Sequence, residues 1–307
     1  MGQSVFITGA LGYLGRNLAA YLLGKRYKVV LCDIIRSKEA GRLESLGGEF
    51  LREDISALSP AARRKLERCS SVIHLACATT PATSEASPVA DITRNLAGTA
   101  ALLRAGADAG IRKFIFASSG GTVYGAPARL PVSEALPPAP CNMHGAMKLC
   151  SEVYIKAFAE KYGFDCALLR IANLYGPRQH YKTLFGAVAV FTQAILSGKP
   201  IQIWGSGETT RDYIYIADTV AAFEAAVRCK AVSGVFNVST GKGTSLNSLI
   251  RLIEKETGRR AEVRYLPSRK LDVPVSVLSP RKLAKTSGWR PAVSLRDGVR
   301  SVIGSLR

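Results

Sequence analysis

The chain opens with a strand that turns on glycine straight into a helix. SVFIT (4–8) is a short β-prone run, GALGYLG (9–15) is the turn, and LGRNLAAYLLGKR carries apolar residues at helical spacing. A strand that feeds a helix this abruptly has few ways to continue. The chain must cross back over a sheet, right-handed, into a second parallel strand. KVVLCD (28–33) supplies that strand, and SSVIHLA, KFIFASS and CALLRIAN repeat the pattern with helical segments between them. The expected fold is therefore α/β: a doubly wound parallel sheet of the Rossmann type, with a smaller C-terminal lobe. After Asn173 the alternation becomes irregular, with a short strand PIQIW, a Gly-rich turn GSGE and the run DYIYIADTVAAFEAAV. The expected division is a dinucleotide-binding domain over 1–172, joined by a return segment at about 210–240. The substrate lobe is expected over 173–209 and 241–307.

The 307 residues hold no run of about 18 apolar side chains, so no membrane span is expected. The first residues enter a strand without a secretory pattern. Seven cysteines, an odd number without a C-x-x-C pair, argue against a disulfide framework or a metal site. A cytoplasmic protein with reduced thiols is the default. The net charge of +19 is high, and residues 251–307 hold 14 Lys/Arg against 5 Asp/Glu. These cations are scattered among apolar residues rather than gathered with stacking aromatics, which argues against a nucleic-acid partner. A phosphorylated small molecule needs only two or three of them.

The glycine trio has a chemical reading in its strand-turn-helix setting. Gly9, Gly12 and Gly15 permit a tight turn, close approach of backbone N–H groups to a pyrophosphate, and close helix–sheet packing. Asp33 ends the next strand, 18 residues after Gly15. A carboxylate there accepts hydrogen bonds from a ribose 2′-hydroxyl and repels a 2′-phosphate, so NAD is favoured over NADP. Arg36 nearby keeps NADP open.

Longer motifs extend this reading. Asp54-Ile55, VIHLAC (72–77), NLAGT (95–99), RIANLYGPRQ (170–179), GSGETTRDYIYIAD (205–218), RKLD (269–272) and SGWRP (287–291) occur in that order. In these motifs the chain resembles the extended short-chain dehydrogenase/reductases, specifically the NAD-dependent sugar-nucleotide epimerase/dehydratase family. The resemblance covers nearly the whole chain. It implies cofactor contacts at Gly9, Leu11, Gly12, Tyr13, Leu14, Gly15, Asp33, Asp54, Ile55, Leu75, Ala76, Asn95 and Lys148. It also implies a nucleoside-diphosphate sugar held by Thr122, Asn173, Arg211 and Arg269, and a homodimer built on helices near 96–107 and 148–158. Planar guanidinium forks and a neutral amide suit a diphosphate. His74 within VIHLAC reads as a packed core histidine.

The catalytic positions depart from the family pattern. There, a Ser/Thr and a Y-x-x-x-K pair act together, the ammonium lowering the phenol's pKa so that it can take the proton of a sugar hydroxyl. Lys148 is kept, but CNMHGAMK (141–148) places His144 where the tyrosine belongs. In SSGGTVYG (118–125) the usual hydroxyl position is Gly120, leaving Thr122 or Ser119 to substitute, with Ser118 close by. A neutral imidazole is a competent base at pH 7, and the Lys148 cation favours the neutral form. Its distal nitrogen ends about two bond lengths short of a phenol oxygen. Tyr124, Cys141 and His180 are alternative proton-transfer groups. The resemblance implies 4-epimerisation through a 4-keto intermediate, with NAD regenerated. A dehydratase, a 4-keto-sugar reductase, or a homologue that binds without turnover are the other readings.

Overall fold

The computed structural model describes residues 3–127, 129–179, 186–268 and 273–306. Seven parallel strands form the main sheet: β1 (Ser4–Thr8), β2 (Lys28–Asp33), β3 (Glu49–Arg52), β4 (Ser71–His74), β5 (Lys113–Ser119), β6 (Asp165–Ile171) and β10 (Gly234–Val238). Their order is β10-β6-β5-β4-β1-β2-β3, a doubly wound arrangement with helices on both faces. Because both faces are covered, the strands are apolar on both sides. Val5, Ile7, Val29, Leu31, Ile115, Ala167 and Leu169 enter one core layer, against the helices Tyr13–Gly24 and Ile216–Arg228. The alternate residues Phe6, Val30, Cys32, Phe114, Phe116 and Leu168 enter the other, against Ala97–Asp108 and Met143–Tyr162. Truncating a fully buried ring such as Phe114 to Ala costs about 3–5 kcal/mol.

A smaller layer lies beyond the end of β6. β7 (Asn173–Tyr175), β11 (Gly243–Ser245) and β13 (Val275–Ser276) all pair with β9 (Thr210–Tyr215), while β8 (Ile201–Trp204) pairs with β12 (Val263–Leu266). Their own core gathers Val188, Phe191, Ile203, Leu249, Ile253, Val299 and Val302. The segment 210–240 thus contributes β9 to the small sheet and then the helix Ile216–Arg228 and β10 to the main one. The C-terminal segment is tied back to that helix. Trp289 Nε1 donates to the Asp218 carbonyl at 3.0 Å, and the Asp218 carboxylate accepts from the N–H groups of Ala292 and Val293.

The long helix Met143–Tyr162 begins where Asn142 caps it, its side chain accepting from Gly145 N at 2.8 Å. It ends at Gly163 in the left-handed conformation, φ +74. Among the described residues no helix is long and apolar enough to cross a membrane.

Candidate active site

The glycine turn lies at the C-terminal edge of β1. Gly9 has φ +65, and a Cβ there would stand 2.7 Å from Ala76 N. A Cβ on Gly15 would stand 2.2 Å from the Gly9 carbonyl oxygen. Both positions demand glycine because backbone, not a movable side chain, occupies the space. Gly12 caps the helix Tyr13–Gly24 without a side-chain hydrogen bond, leaving the first-turn N–H groups for a ligand. Asp33 closes the turn from β2, its Oδ2 accepting from Leu11 N at 2.9 Å. Arg36, the residue that kept NADP open, is engaged elsewhere: it pairs with Glu44 at 2.5 Å and lies over the Phe50 ring. This cradle, with a carboxylate at its rim, fits a dinucleotide that lacks a 2′-phosphate.

The neighbouring edge is knit to the same turn. Leu75 N and Ala76 N donate to the carbonyl and hydroxyl oxygens of Thr8. His74 is fully buried between Thr8 Oγ1 (2.7 Å) and Thr99 Oγ1 (2.9 Å). Thr99 gives its one hydroxyl proton to the Asn95 carbonyl, so we assign the His74 hydrogen to Nε2, with Nδ1 accepting from Thr8. Burial, then the Lys148 charge, pushes the His74 imidazole down to about 3. It is a structural histidine, as its sequence context implied. Asn95 sits in a π-helical turn, Ile92–Leu96, between Pro88–Asp91 and Ala97–Asp108. Its Oδ1 accepts from Ala78 N, and its amide donates to Thr79 and Asp91. Asp54 follows β3, bonded to Ser56 N and then the Ser56 hydroxyl, which lower its carboxyl below the usual range. Ile55 beside it packs on Gly98.

At the start of the long helix, Lys148 Nζ donates to the Ala117 carbonyl at 3.0 Å and lies 4.7 Å over the Phe116 ring. One turn earlier, His144 is buried and its Nδ1 has no hydrogen-bond partner. Burial first and the Lys148 cation second push the imidazole down to about 4, while the Asp91 carboxylate pulls it up. Ser119 ends β5, and the next turn, Gly120–Val123, carries Thr122. The Thr122 hydroxyl is likewise buried without a partner. The helix presses closely on this turn: a Cβ on Gly145 would stand 2.4 Å from the Thr122 carbonyl oxygen. A Cβ on Gly120 would stand 2.2 Å from Leu278 Cδ1 and 3.1 Å from the Arg170 carbonyl oxygen. A side chain at that position therefore requires Leu278 to move aside.

Two sequence alternatives are occupied structurally. Tyr124 is buried, and its hydroxyl donates to Asn237 Oδ1 at 2.8 Å beneath the Arg170 guanidinium, so it is not placed to act as a base. Ser118 Oγ donates to Glu152 Oε1 at 2.5 Å. Cys141 is exposed just before the Asn142 cap. His180 and Arg269 lie outside the described residues.

On the small sheet, Asn173 (β7) donates to the Asp212 carbonyl at 3.2 Å, and Arg211 (β9) reaches the carbonyls of Thr210 and Pro274. Tyr13 joins this side to the glycine turn, since a Cβ on Gly176 would stand 2.7 Å from its hydroxyl. Sequence reading passed over Asp91 and Glu152. Each lies four residues from a recognised one, Asn95 and Lys148, on the same helical face, which is the signal that could have found them.

Comparison with known proteins follows the same lines. The pattern of the NAD dependent epimerase/dehydratase family matches residues 5–239. UDP-glucose 4-epimerase of Mycolicibacterium smegmatis is 34% identical over 305 residues, 98% of this chain and 97% of the relative. A dTDP-4-dehydro-6-deoxyglucose reductase of Escherichia coli is 31% identical over 312 residues, covering 99% and 98%. The crystal structure of Thermotoga maritima UDP-glucose 4-epimerase with UDP-glucose superposes with a TM-score of 0.90 at 34% identity, covering 99% of this chain and 98% of that one.

Proposed function

The chain belongs to the NAD dependent epimerase/dehydratase family, and we propose that it performs NAD-dependent 4-epimerisation of a nucleoside-diphosphate sugar, with His144, Thr122 and Lys148 as its acid–base group. The observation that carries this reading is the pair of buried, unpartnered polar atoms, Thr122 Oγ1 and His144 Nδ1, on two closely packed elements beside an anchored lysine. Leaving such a group unsatisfied costs about 1–3 kcal/mol, a cost a ligand hydroxyl would relieve.

The turn 9–15 would receive the pyrophosphate of NAD, Asp33 a ribose, and Asp54 with Ile55 the adenine. When bound, NAD supplies a transient two-electron oxidation at C4 of the sugar. His144, held neutral by burial, takes the C4 hydroxyl proton and returns it after the sugar presents its other face. Because an imidazole ends before a phenol oxygen would, the hydroxyl sits deeper or one water bridges the gap. Thr122, with Ser119 beside it, orients that oxygen. The Lys148 ammonium disfavours a second positive charge on His144 and so promotes the proton's return. Asn173, Arg211 and Arg269 hold the diphosphate.

The domain division belongs to the same proposal: 1–172 with the return at about 210–240 as cofactor domain, the remainder as substrate lobe. So does a cytoplasmic location, supported by seven free cysteines. A homodimer is supported by exposed apolar side chains on neighbouring elements, Val153 and Tyr154 on Met143–Tyr162 and Val89 and Ile92 just before Ala97–Asp108. Sedimentation of Val153→Glu as a monomer, against a dimeric unchanged protein, checks it.

The deciding experiment is NMR of UDP-, GDP- and dTDP-sugars incubated with excess NAD and the protein, beside His144→Phe and His144→Tyr. Epimer formed by the unchanged protein and lost in His144→Phe supports the reading. The depressed imidazole favours one second reading, a site that binds without turnover. Product from His144→Tyr alone would establish that instead.

A further inference from the structure

Lys148 and Glu152 stand one helical turn apart and grip consecutive residues of β5. Lys148 takes the Ala117 carbonyl, and Glu152 takes the Ser118 hydroxyl at 2.5 Å. Ser118 is paired in register with Arg170 on β6, and Arg170 closes on the same carboxylate with Nε at 2.9 Å and Nη2 at 2.6 Å. The pair is buried, with side chains 3% and 1% exposed. On its other side the guanidinium lies 4.6 Å over the Tyr124 ring, whose hydroxyl is fixed to Asn237 of β10. The network therefore joins the long helix, three strands of the main sheet and the end of the turn that carries Thr122. That turn has no slack, since the helix backbone at Gly145 closes on the Thr122 carbonyl.

From this geometry we infer that Glu152, held by Arg170, is a positioning residue for the reaction. It fixes the register of the long helix against β5, and so the placement of His144 and Lys148 relative to Thr122 and Ser119. The inference rests on the acid–base roles given above. An ion pair that served stability alone would not need the third bond, to the strand that leads into the catalytic turn. A displacement of about 1 Å at such a site costs on the order of a hundredfold in rate.

Ser118→Ala tests it, because the substitution releases the strand from Glu152 and leaves the buried ion pair in place. We expect kcat to fall about tenfold with KM changed less than about twofold. We also expect the His144 ring resonances to shift at constant pH, and Ser118→Thr, which keeps the hydroxyl, to return both toward the unchanged protein. With three histidines in the chain, the spectrum is assigned through His144→Phe, and His74 serves as internal reference. Glu152→Ala should shift His144 further. If it does not fold, Ser118→Ala decides alone. Ser118→Ala that lowers the melting temperature while kcat and the His144 resonances stay put overturns the inference. If the unchanged protein has no turnover, the proposed function fails separately and the resonances still decide this point.

Discussion

The cofactor edge and the start of the catalytic helix are built on opposite terms. Along the first, Thr8, His74, Thr99, Asn95, Asp91 and Thr79 are joined in a continuous chain of hydrogen bonds. At the second, a buried hydroxyl and a buried imidazole nitrogen face no partner, and the lysine one helical turn beyond the imidazole donates to a backbone carbonyl. The first region is finished by folding, and in the proposed function the second is completed by substrate. Unsatisfied groups tolerated in a close-packed interior mark where the fold gives up stability for chemistry. The contrast is not complete: the Tyr13 hydroxyl, which lies where the cofactor side meets the lobe, and the Ser84 hydroxyl just beyond Thr79 are also buried without a partner.

The contrast can be broken most severely at Gly15. Gly15→Val pushes a side chain into the Gly9 carbonyl, so we expect a loss of about 3 kcal/mol or more and no measurable NAD binding, read by thermal melting and calorimetric titration. Lys148→Met should act mainly at the second region, although the Lys148 charge also reaches His74 and the family resemblance gives this residue a cofactor contact. Turnover should fall about 10²–10⁴-fold while NAD affinity changes far less, and an equal loss of both would erase the distinction. Asp33→Asn sharpens the first region. The amide oxygen can still accept from Leu11 N, but the charge is gone, so the preference for NAD over NADP should drop about 10–100-fold in paired binding titrations.

The last effect is on pH dependence. His144 and His74 are held neutral in the fold, whereas the unfolded chain takes up protons near pH 6.5. Between those limits the unfolded state binds more protons, so stability is full above about pH 6.5. It then declines as pH falls, toward 4 for His144 and toward 3 for His74, by at most about 1.4 kcal/mol per unit for each group. Urea titrations at pH 7.5, 5.5 and 4.5 measure the slope, and His144→Phe should lessen it. An unaltered slope would mean that His144 is not held neutral.

Much of the fold was legible because it rests on local periodicity. Strand alternation and the glycine turn are read from neighbours in sequence. The placement of β10 beside β6 is less local, since 62 residues lie between the end of β6 at Ile171 and the start of β10 at Gly234. The π-helical turn at Ile92–Leu96 was not legible: ITRNL has no composition that distinguishes it from α-helix, and only its packing selects the wider turn. Tyr124 seemed available as a base from its loop position, yet three-dimensional packing places it under Arg170.

By itself the sequence determined the α/β architecture, the dinucleotide cradle and the departure at position 144, because each depends on residue type within a few positions of itself. Only the tertiary structure decided that Gly120 abuts Leu278, that Ser118 belongs to Glu152, and that the Thr122 hydroxyl stays unpartnered. Those facts depend on which atoms from distant segments reach the same few ångströms. Spacing along a chain encodes periodicity, while the pairing of a buried polar group is settled by close packing in three dimensions.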